Sequence, residues 1–442
     1  MEFPQLHRYD RIGYDTETTG LVYKVDRVFG FSIALPDGRD FYYDIRRTPQ
    51  AADWIQDELL DWDGSLVMHN ASFDYRFSLH TGIALPLAQV VDTAVRANLI
   101  NEHEWMDRYG NAPYSLDQLA IKYLGESKES DMYQELADIF GGKPTRNVQM
   151  RNISSAPPEV VSPYAKKDAR LTLDLHDWQT GEIERQGIQD IVAFEQELTP
   201  IIIRNETRGI HIDESYTEEA IDKLNPIVDE AQSHLNKLVG FDINVNSPKQ
   251  VRQAFGCKKD GNNWFTGDGY PLPSTAGGEA SMQADILREM NSPISNAIID
   301  LRSTIKTRDT FLKSHVQGHT INGVVYPNIN QTKGEDGGTG TGRFSYTLPA
   351  MQQIPSRNKK VAAIVKPCFM PPPGMVWVDC DMASFEVRTF ADLINEPKIV
   401  EQYNKKPDTD FHQFVADLTG LPRSATYAGE ANAKQLNLSL IH

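Results

Sequence analysis

The first part of the chain predicts strands and helices in alternation. Four short apolar runs have the length and the β-branched and aromatic content of buried strands, and they are residues 12–21, 30–35, 40–45 and 66–70. A Pro-Asp-Gly turn joins the second run to the third as a hairpin. Helices are expected to begin near Ser115 and Ser162, so the pattern predicts an α/β domain that ends around residue 185.

The pattern changes after this domain. Residues 189–207 and 214–239 place apolar side chains three and four positions apart, which predicts long amphipathic helices. Gly, Asn and Pro accumulate at 257–280, as is typical of a loop or a short hairpin. Further on, the apolar run MVWVDCDM at 375–382 predicts a buried strand, and helical spacing resumes from Phe385.

Charge and cysteine content narrow the class of protein. The net charge of −17 provides no global positive field for a phosphate backbone, so nucleic acid could be held only by local basic clusters or by acidic residues that bind metals. The three cysteines form no CxxC pair, which argues against a disulfide framework and a cysteine zinc site. No run approaches the roughly 18 apolar residues of a membrane span. We expect a protein of the reducing cytoplasm, without a membrane partner.

A pair of acidic residues ends the first predicted strand. Asp15 and Glu17 are two positions apart, so their side chains lie on the same face of the strand. Carboxylates this close repel each other unless a cation lies between them, and oxygen ligands favour Mg²⁺ or Mn²⁺. Taken alone, the pair is better explained as two solvated acids at a strand end.

Two further motifs add carboxylates from other elements. Asp74 follows the fourth predicted strand closely, within the sequence HNASFD. Tyr164 and Asp168 are four positions apart and share one face of a predicted helix, as an ordinary exposed pair also would. Three separate elements therefore supply four carboxylates.

The sequences DTETTGL, NASFD and YAKKD resemble, in order and spacing, the three exonuclease motifs of the DEDD superfamily, in its tyrosine-bearing subclass. The resemblance implies an RNase H-like fold and a 3′→5′ exonuclease in which Tyr164 orients the attacking water. It also implies two bound divalent metals, Mg²⁺ or alternatively Mn²⁺, held by Asp15, Glu17, Asp74 and Asp168. Leu21, Asn70 and Phe73 would contact the terminal nucleotide, although Phe73 fits a core position equally well.

Two segments of the second half, TGTGRFSYTLPAMQQIPSR and VWVDCDMASFEVRTFADL, resemble the conserved segments up to motif A of family A DNA polymerases. By this resemblance Asp381 is the catalytic, metal-binding aspartate of the palm, with Asp379 as a competing candidate that the register disfavours. Glu386 would guard against ribonucleotides, and Arg388 is in register with the motif. Residues expected along the primer-template duplex are Arg343, Gln353 and Lys306, the last in a basic face with Arg308 and Lys313.

The final segment, GEANAKQLNLSLIH, resembles motif B of the fingers, where Lys434 would neutralise the nucleotide triphosphate. Glu430, Leu438 and His442 depart from the family pattern, and Arg423 could replace the cation missing at Glu430. The chain ends within this motif, and the second palm carboxylate has no counterpart in it. We therefore expect a shortened chain, a naturally split polymerase, or a protein that kept only proofreading.

The resemblances imply three regions: an α/β RNase H-like exonuclease domain over 1–185, a mainly helical thumb over 186–325, and a partial α+β palm and fingers region over 326–442. The expected function is proofreading by the N-terminal portion of a family A DNA polymerase similar to phage replicases, located in the host cytoplasm if phage-encoded. The expected partners are primer-template DNA, single-stranded 3′ ends, deoxynucleoside triphosphates, and a second polypeptide that carries the rest of palm and fingers. The alternatives are a stand-alone 3′→5′ exonuclease of DNA or RNA ends that uses its second half as a nucleic-acid platform, and a DNA-binding scaffold with an inactive nuclease.

Overall fold

The structure is a computed structural model, and it describes residues 2–103, 113–128, 131–334, 337–356, 358–425 and 430–436. The chain forms two compact units, Met1–Pro372 and Pro373–His442.

The first unit begins with a mixed five-stranded sheet. Its strands are β1 (Arg11–Thr18), β2 (Val28–Ala34), β3 (Asp40–Asp44), β4 (Ser65–Met68) and β5 (Val90–Asp92), arranged in the order β3-β2-β1-β4-β5. The three strands β1 to β3 are antiparallel, and β4 and β5 run parallel to β1. The strands predicted from the apolar runs are therefore present, and β1 is central.

Helices pack on the sheet and complete the domain. They are α1 (Gln50–Leu59), α2 (Ala71–Thr81), α3 (Thr93–Ile100), α4 (Leu116–Leu124), α5 (Met132–Phe140), α6 (Arg146–Gln149) and α7 (Pro158–Gln186). Ser115 caps α4 as predicted, whereas α7 begins before Ser162 because Pro158 occupies its first position, where proline is favourable. The apolar core between α1 and the sheet includes Ile12, Phe31 and Leu66.

The second region of this unit is mainly helical. Its helices are α8 (Gln189–Arg208), α9 (Glu214–Val239), α10 (Pro248–Ala254), α11 (Ala284–Met290), α12 (Pro293–Ile305) and α13 (Lys359–Val365), and α12 continues as a π-helical segment, Lys306–Val316. The amphipathic helices predicted over 189–207 and 214–239 are present as α8 and α9. The α/β class of the first part and the helical class of the second agree with the sequence prediction.

Short strands accompany these helices. They are β6 (Ile210–Ile212), β7 (Lys258–Asp260), β8 (Asn263–Phe265), β9 (Pro271–Leu272), β10 (Thr320–Ile321), β11 (Val324–Val325), β12 (Asn328–Asn330), β13 (Ser345–Thr347) and β14 (Phe369–Met370). β7 to β9 form a small sheet within the Gly-rich stretch that was predicted as a loop or hairpin. β12 pairs with β13, and β6 lies between β11 and β14.

The second unit contains α14 (Phe385–Leu393), α15 (Pro397–Lys405) and α16 (Phe411–Thr419). The prediction of a buried strand at 375–382 is wrong for this structure. The segment is irregular, and side chains such as Val376 and Val378 are exposed. Among the described residues no strand forms a hydrogen-bonded ladder with it, so its apolar side chains have no sheet in which to be buried.

A buried ion pair joins the sheet domain to the helical region. Arg76 of α2 lies 3.7 Å from Glu206 of α8, with side chains only 5% and 2% exposed. Glu206 also accepts hydrogen bonds from the Ser72 hydroxyl and from the Ile329 backbone N–H of β12. Burial raises the pKa of Glu206 and lowers that of Arg76, which means that each charge depends on the other for its stability.

We expect Glu206→Ala to lower the free energy of unfolding by about 3–5 kcal/mol, because it leaves the Arg76 guanidinium buried without a counter-charge. The measurement is urea unfolding followed by circular dichroism. The control is Glu219→Ala, which removes an exposed pair with Lys223 and should change stability little. A double variant, Arg76→Met with Glu206→Gln, should recover much of the loss, and equal losses in the single and double variants would contradict this explanation.

Candidate functional site

Helix α7 lies unusually close to β1 at Gly13. A Cβ atom placed on Gly13 would be 2.4 Å from the Ala169 carbonyl oxygen and 3.0 Å from the Leu173 Cβ atom. The Ser32 hydroxyl of β2 donates a hydrogen bond of 2.7 Å to the Ala165 carbonyl, which holds the same helix against the sheet. This close approach brings the α7 residues Tyr164 and Asp168 toward the end of β1.

The two acidic residues of β1 lie where the strand pairing becomes irregular. Glu17 is opposite Gly30 but Thr18 is opposite Val28, so the β1–β2 register shifts between Glu17 and Thr18. Such irregularities redirect side chains at the edges of functional sites. The Glu17 side chain is buried, and Asp15 is half-buried beside it.

Asp74 is held against β1 by the residue between those two acids. The Thr16 backbone N–H and hydroxyl both donate to the same oxygen, Oδ1 of Asp74, at 2.9 and 2.6 Å. The other oxygen, Oδ2, is thereby left for other ligands. The motif sequence contained Thr16, but nothing in its spacing indicated this role.

The start of α2 is fixed by a second aspartate that sequence reasoning missed. Asp92, at the end of β5, accepts hydrogen bonds from the backbone N–H groups of Asn70 and Ala71 at 3.0 and 2.8 Å. Asn70 itself is in the left-handed conformation with φ of 61° immediately before the helix. Its contact with substrate stays a prediction, while its backbone N–H, bound by Asp92, helps to position the helix that carries Asp74.

The carboxylates of this cluster are desolvated and repel one another. Burial, followed by the charges of Asp74 and Asp168, raises the pKa of Asp15 well above its ordinary value. Burial, followed by the charge of Asp168, likewise raises the pKa of Glu17. The pKa of Asp74 rises to about 7, with burial as the largest cause and the Thr16 hydrogen bonds opposing it. An added positive charge would therefore stabilise the cluster.

One cation from the chain already acts on the cluster, and sequence reasoning missed it. The Lys128 ammonium lies 2.5 Å from Oδ2 of Asp168 and 5.4 Å from the centre of the Tyr164 ring. Lys128 precedes α5 in the chain, far in sequence from each motif, so no local pattern identifies it.

The carboxylate oxygens of this cluster are chemically suited to a divalent cation, but the side chains alone do not complete a coordination shell. Within the described ranges, no three or more His, Cys, Asp or Glu side chains, as they stand, are grouped so that they could hold a metal ion. Oδ1 of Asp168 is buried and has no hydrogen-bond partner among these residues. An unpaired buried carboxylate oxygen fits a metal whose remaining ligands come from water or substrate.

The two apolar residues predicted to contact a nucleotide differ in exposure. Leu21 is 80% exposed in the loop after β1. Phe73 is partly buried and packs on Phe77 with ring centres 4.5 Å apart, in a small cluster that includes Tyr326. Phe73 therefore has a core contact, while Leu21 is fully available at the surface.

In the helical region, an open groove of about 510 Å³ brings together two residues predicted to contact DNA. Lys306 and Gln353 both line it, with Phe311 and Pro355 among the other residues of its wall. The predicted basic face is only partly present, because Asp309 pairs with Arg308 at 2.7 Å and with Lys313 at 3.4 Å.

The remaining residues predicted to contact DNA or nucleotide are divided between the two units. Arg343 is exposed just before β13. Glu386 and Arg388 lie on α14, where Arg388 stacks 4.3 Å from the Tyr403 ring and donates to the Pro407 carbonyl. Arg388 is thus engaged in packing within its own unit.

The aspartate predicted to bind metal and the lysine predicted to bind the triphosphate also belong to the second unit. Asp381 is exposed in the irregular segment, and Lys434 is exposed in a short helical turn. Arg423, the possible substitute cation, pairs with Asp410 at 2.7 Å. Glu430 is described, whereas Leu438 and His442 lie outside the described residues.

Comparison with known proteins identifies both halves of the chain. Residues 3–184 match the family described as 3′-5′ exonuclease, and residues 214–442, more than half of the chain, match DNA polymerase family A. The chain belongs to DNA polymerase family A. The family predicted from the sequence motifs is thus confirmed, as is the presence of a 3′-5′ exonuclease domain at the N-terminal end of this family A polymerase.

The curated relatives of this family A polymerase include phage proteins. DNA polymerase DpoZ of Vibrio phage phiVC8 is 52% identical over 100% of this chain and 71% of its own length. DpoZ of Acinetobacter phage SH-Ab 15497 is 45% identical, with 100% and 71% covered. DNA polymerase I of Borreliella burgdorferi is 24% identical, with 90% of this chain and 41% of the relative covered.

A solved structure shares the fold of this polymerase. The POL domain of Pol1 from M. smegmatis, in complex with DNA primer-template and dNTP, superposes with a TM-score of 0.72 at 20% identity, covering 98% of this chain and 68% of that one. The predicted fold class is confirmed. The relatives give no support to a separate second polypeptide, because the phiVC8 relative is a single protein that matches this whole chain. None of the described helices has the length and apolar character to cross a membrane.

We expect Gly13→Ala to lower the unfolding free energy by about 1–3 kcal/mol and to weaken the exonuclease site, because the added methyl group forces α7 away from β1. The measurements are chemical unfolding and exonuclease rate. Gly181→Ala is the matched control, since its Cβ meets nothing within 4 Å in the same helix and alanine is favoured there. Unchanged stability of Gly13→Ala would show that the close approach is not required.

Proposed function

We propose that the exonuclease domain hydrolyses the 3′-terminal phosphodiester of DNA, using Mg²⁺ or, as a substitute, Mn²⁺. The observation that carries the proposal is the convergence of buried, mutually repelling carboxylates from β1, α2 and α7, with one oxygen of Asp168 unpaired. The metals, when bound, would stabilise the attacking and leaving oxygens of an in-line displacement at phosphorus. Their ligands would be Asp15, Glu17, Asp74 and Asp168.

Within this proposal, the chain's own residues have separate roles. Asp74 offers Oδ2, since Thr16 occupies Oδ1. Burial raises the pKa of Tyr164 well above its ordinary value, so its phenol stays protonated and can donate a hydrogen bond to the attacking water. Leu21, exposed in the loop after β1, would contact the terminal nucleotide.

For polymerisation, we propose that primer-template DNA lies along the groove lined by Lys306 and Gln353. The POL domain neighbour is itself a complex with DNA primer-template and dNTP. Asp381 would bind a metal for nucleotidyl transfer, and Lys434 the triphosphate of a deoxynucleotide. Nucleotidyl transfer uses a site with two metal ions, and a single carboxylate supplies fewer ligands than such a site needs.

The exonuclease proposal predicts the following rates on a 5′-labelled primer-template with Mg²⁺. Asp15→Asn and Asp168→Asn should each slow shortening of the primer by about 100-fold or more. Loss of a residue that only supports a metal ligand costs about 10–100-fold, and these two residues are the proposed ligands themselves. Tyr164→Phe should cost less, since it only orients water. Asp10→Asn is the control, as that carboxylate is exposed just before β1.

Wild-type rates in Asp15→Asn would contradict the metal assignment. Equal shortening of RNA and DNA ends would instead favour the alternative of a general 3′-end nuclease.

The polymerase proposal predicts no net extension by these 442 residues when deoxynucleotides are added, because Asp381 is the only palm carboxylate that the motifs identify. Asp15→Asn should be used as the background, so that exonuclease activity does not mask synthesis. Extension that is abolished by Asp381→Asn would show that this chain completes a polymerase site by itself. The control is Asp408→Asn, an exposed aspartate of the same unit.

A further inference from the structure

Among the described residues, Lys128 and, more weakly, Arg146 place positive charge near the carboxylates of the candidate exonuclease site. The Lys128 ammonium contacts Oδ2 of Asp168 at 2.5 Å, and its side chain is only 25% exposed. Its backbone N–H donates to Oδ1 of Asp117 at 2.7 Å, which anchors the segment after α4. The side chain is therefore held in the cluster from a fixed backbone.

The surrounding charges explain why a lysine is stable in this position. Burial lowers the pKa of Lys128, but the charges of Asp168 and Asp15 raise it more, so the net direction is upward. The effect is mutual, because Lys128 lowers the pKa values of Asp15, Glu17 and Asp168 against the effect of burial. The ammonium and the carboxylates each reduce the cost of burying the other.

The contact also occupies an atom that a metal would need. Asp168 has one oxygen bound to Lys128 and the other buried without a partner among the described residues. A divalent ion that binds the free oxygen would lie close to the ammonium on the same carboxylate, and like charges at such a distance repel strongly in a desolvated site.

We propose that Lys128 is the built-in counter-cation of the exonuclease carboxylates and competes with divalent metal for Asp168. The inference rests on the proposed function, since it assumes that these carboxylates bind metal. Lys128 is a positioning residue in this role: it keeps the metal-free cluster together and lowers its affinity for metal.

The test is Mn²⁺ binding by the full 442-residue chain, measured by isothermal titration calorimetry at pH 8 without DNA. Lys128→Met should bind Mn²⁺ about tenfold more tightly at this site, because a repelling charge is gone. Lys128→Arg keeps the charge and should stay near wild type. Lys223→Met is the matched control, since it removes a lysine from an exposed pair with Glu219.

Asp15→Asn identifies which part of the binding heat belongs to the exonuclease site. Lys128→Gln is measured in parallel in case the methionine variant folds poorly, and the same tighter binding is expected from it. Affinity in both variants within twofold of wild type, or weaker, overturns the proposal, because Lys128 would then be a simple structural pair or a support for the metal ligands. Mn²⁺ binding that is identical in wild type and Asp15→Asn would overturn the proposed metal site itself, and this inference with it.

Discussion

Repulsion among buried carboxylates at the end of β1 is the constraint on which this exonuclease domain depends. Asp15 and Glu17 face each other's charge and those of Asp74 and Asp168 in a desolvated environment. Such a cluster persists only if the fold forces it together. Gly13 allows α7 to approach, and Thr16 ties Asp74 to the strand by two hydrogen bonds. These contacts hold the mutually repelling carboxylates close together.

Helix α2 links this site to the rest of the first unit. It carries Asp74 toward the carboxylates and, two residues later, Arg76 toward Glu206 of α8. Because side chains two apart on a helix point in different directions, one short helix can serve two clusters. Glu206 in turn accepts from the backbone of β12, which pairs with β13. Any shift of α2 would therefore disturb both the exonuclease site and its joint with the helical region.

The sequence predicted the parts of this arrangement that are local, and it failed where contacts are distant. The strands, α8, α9 and the motif residues follow from periodicity and from short motifs with characteristic spacing. Lys128 and Glu206 lie far along the chain from the residues they contact, so no window of sequence reveals them. The reverse error occurred at 375–382, where strand-like composition predicted burial but no described strand pairs with the segment. By contrast, Asp309 is adjacent to Arg308 in the sequence. The pairing that weakens the predicted basic face could therefore have been foreseen.

The net charge of −17 gives the cations of this protein particular importance. A DNA 3′ end that approaches the cluster brings phosphate toward carboxylates, and the long-range field of the chain opposes it. Attraction must then come from charges close to the bound strand, where screening is weakest. In the proposed arrangement, Lys306 of the groove would supply such a charge. Under this proposal, contact with DNA depends on a few local positive charges and on bound metals, because the net negative charge of the chain disfavours contact elsewhere.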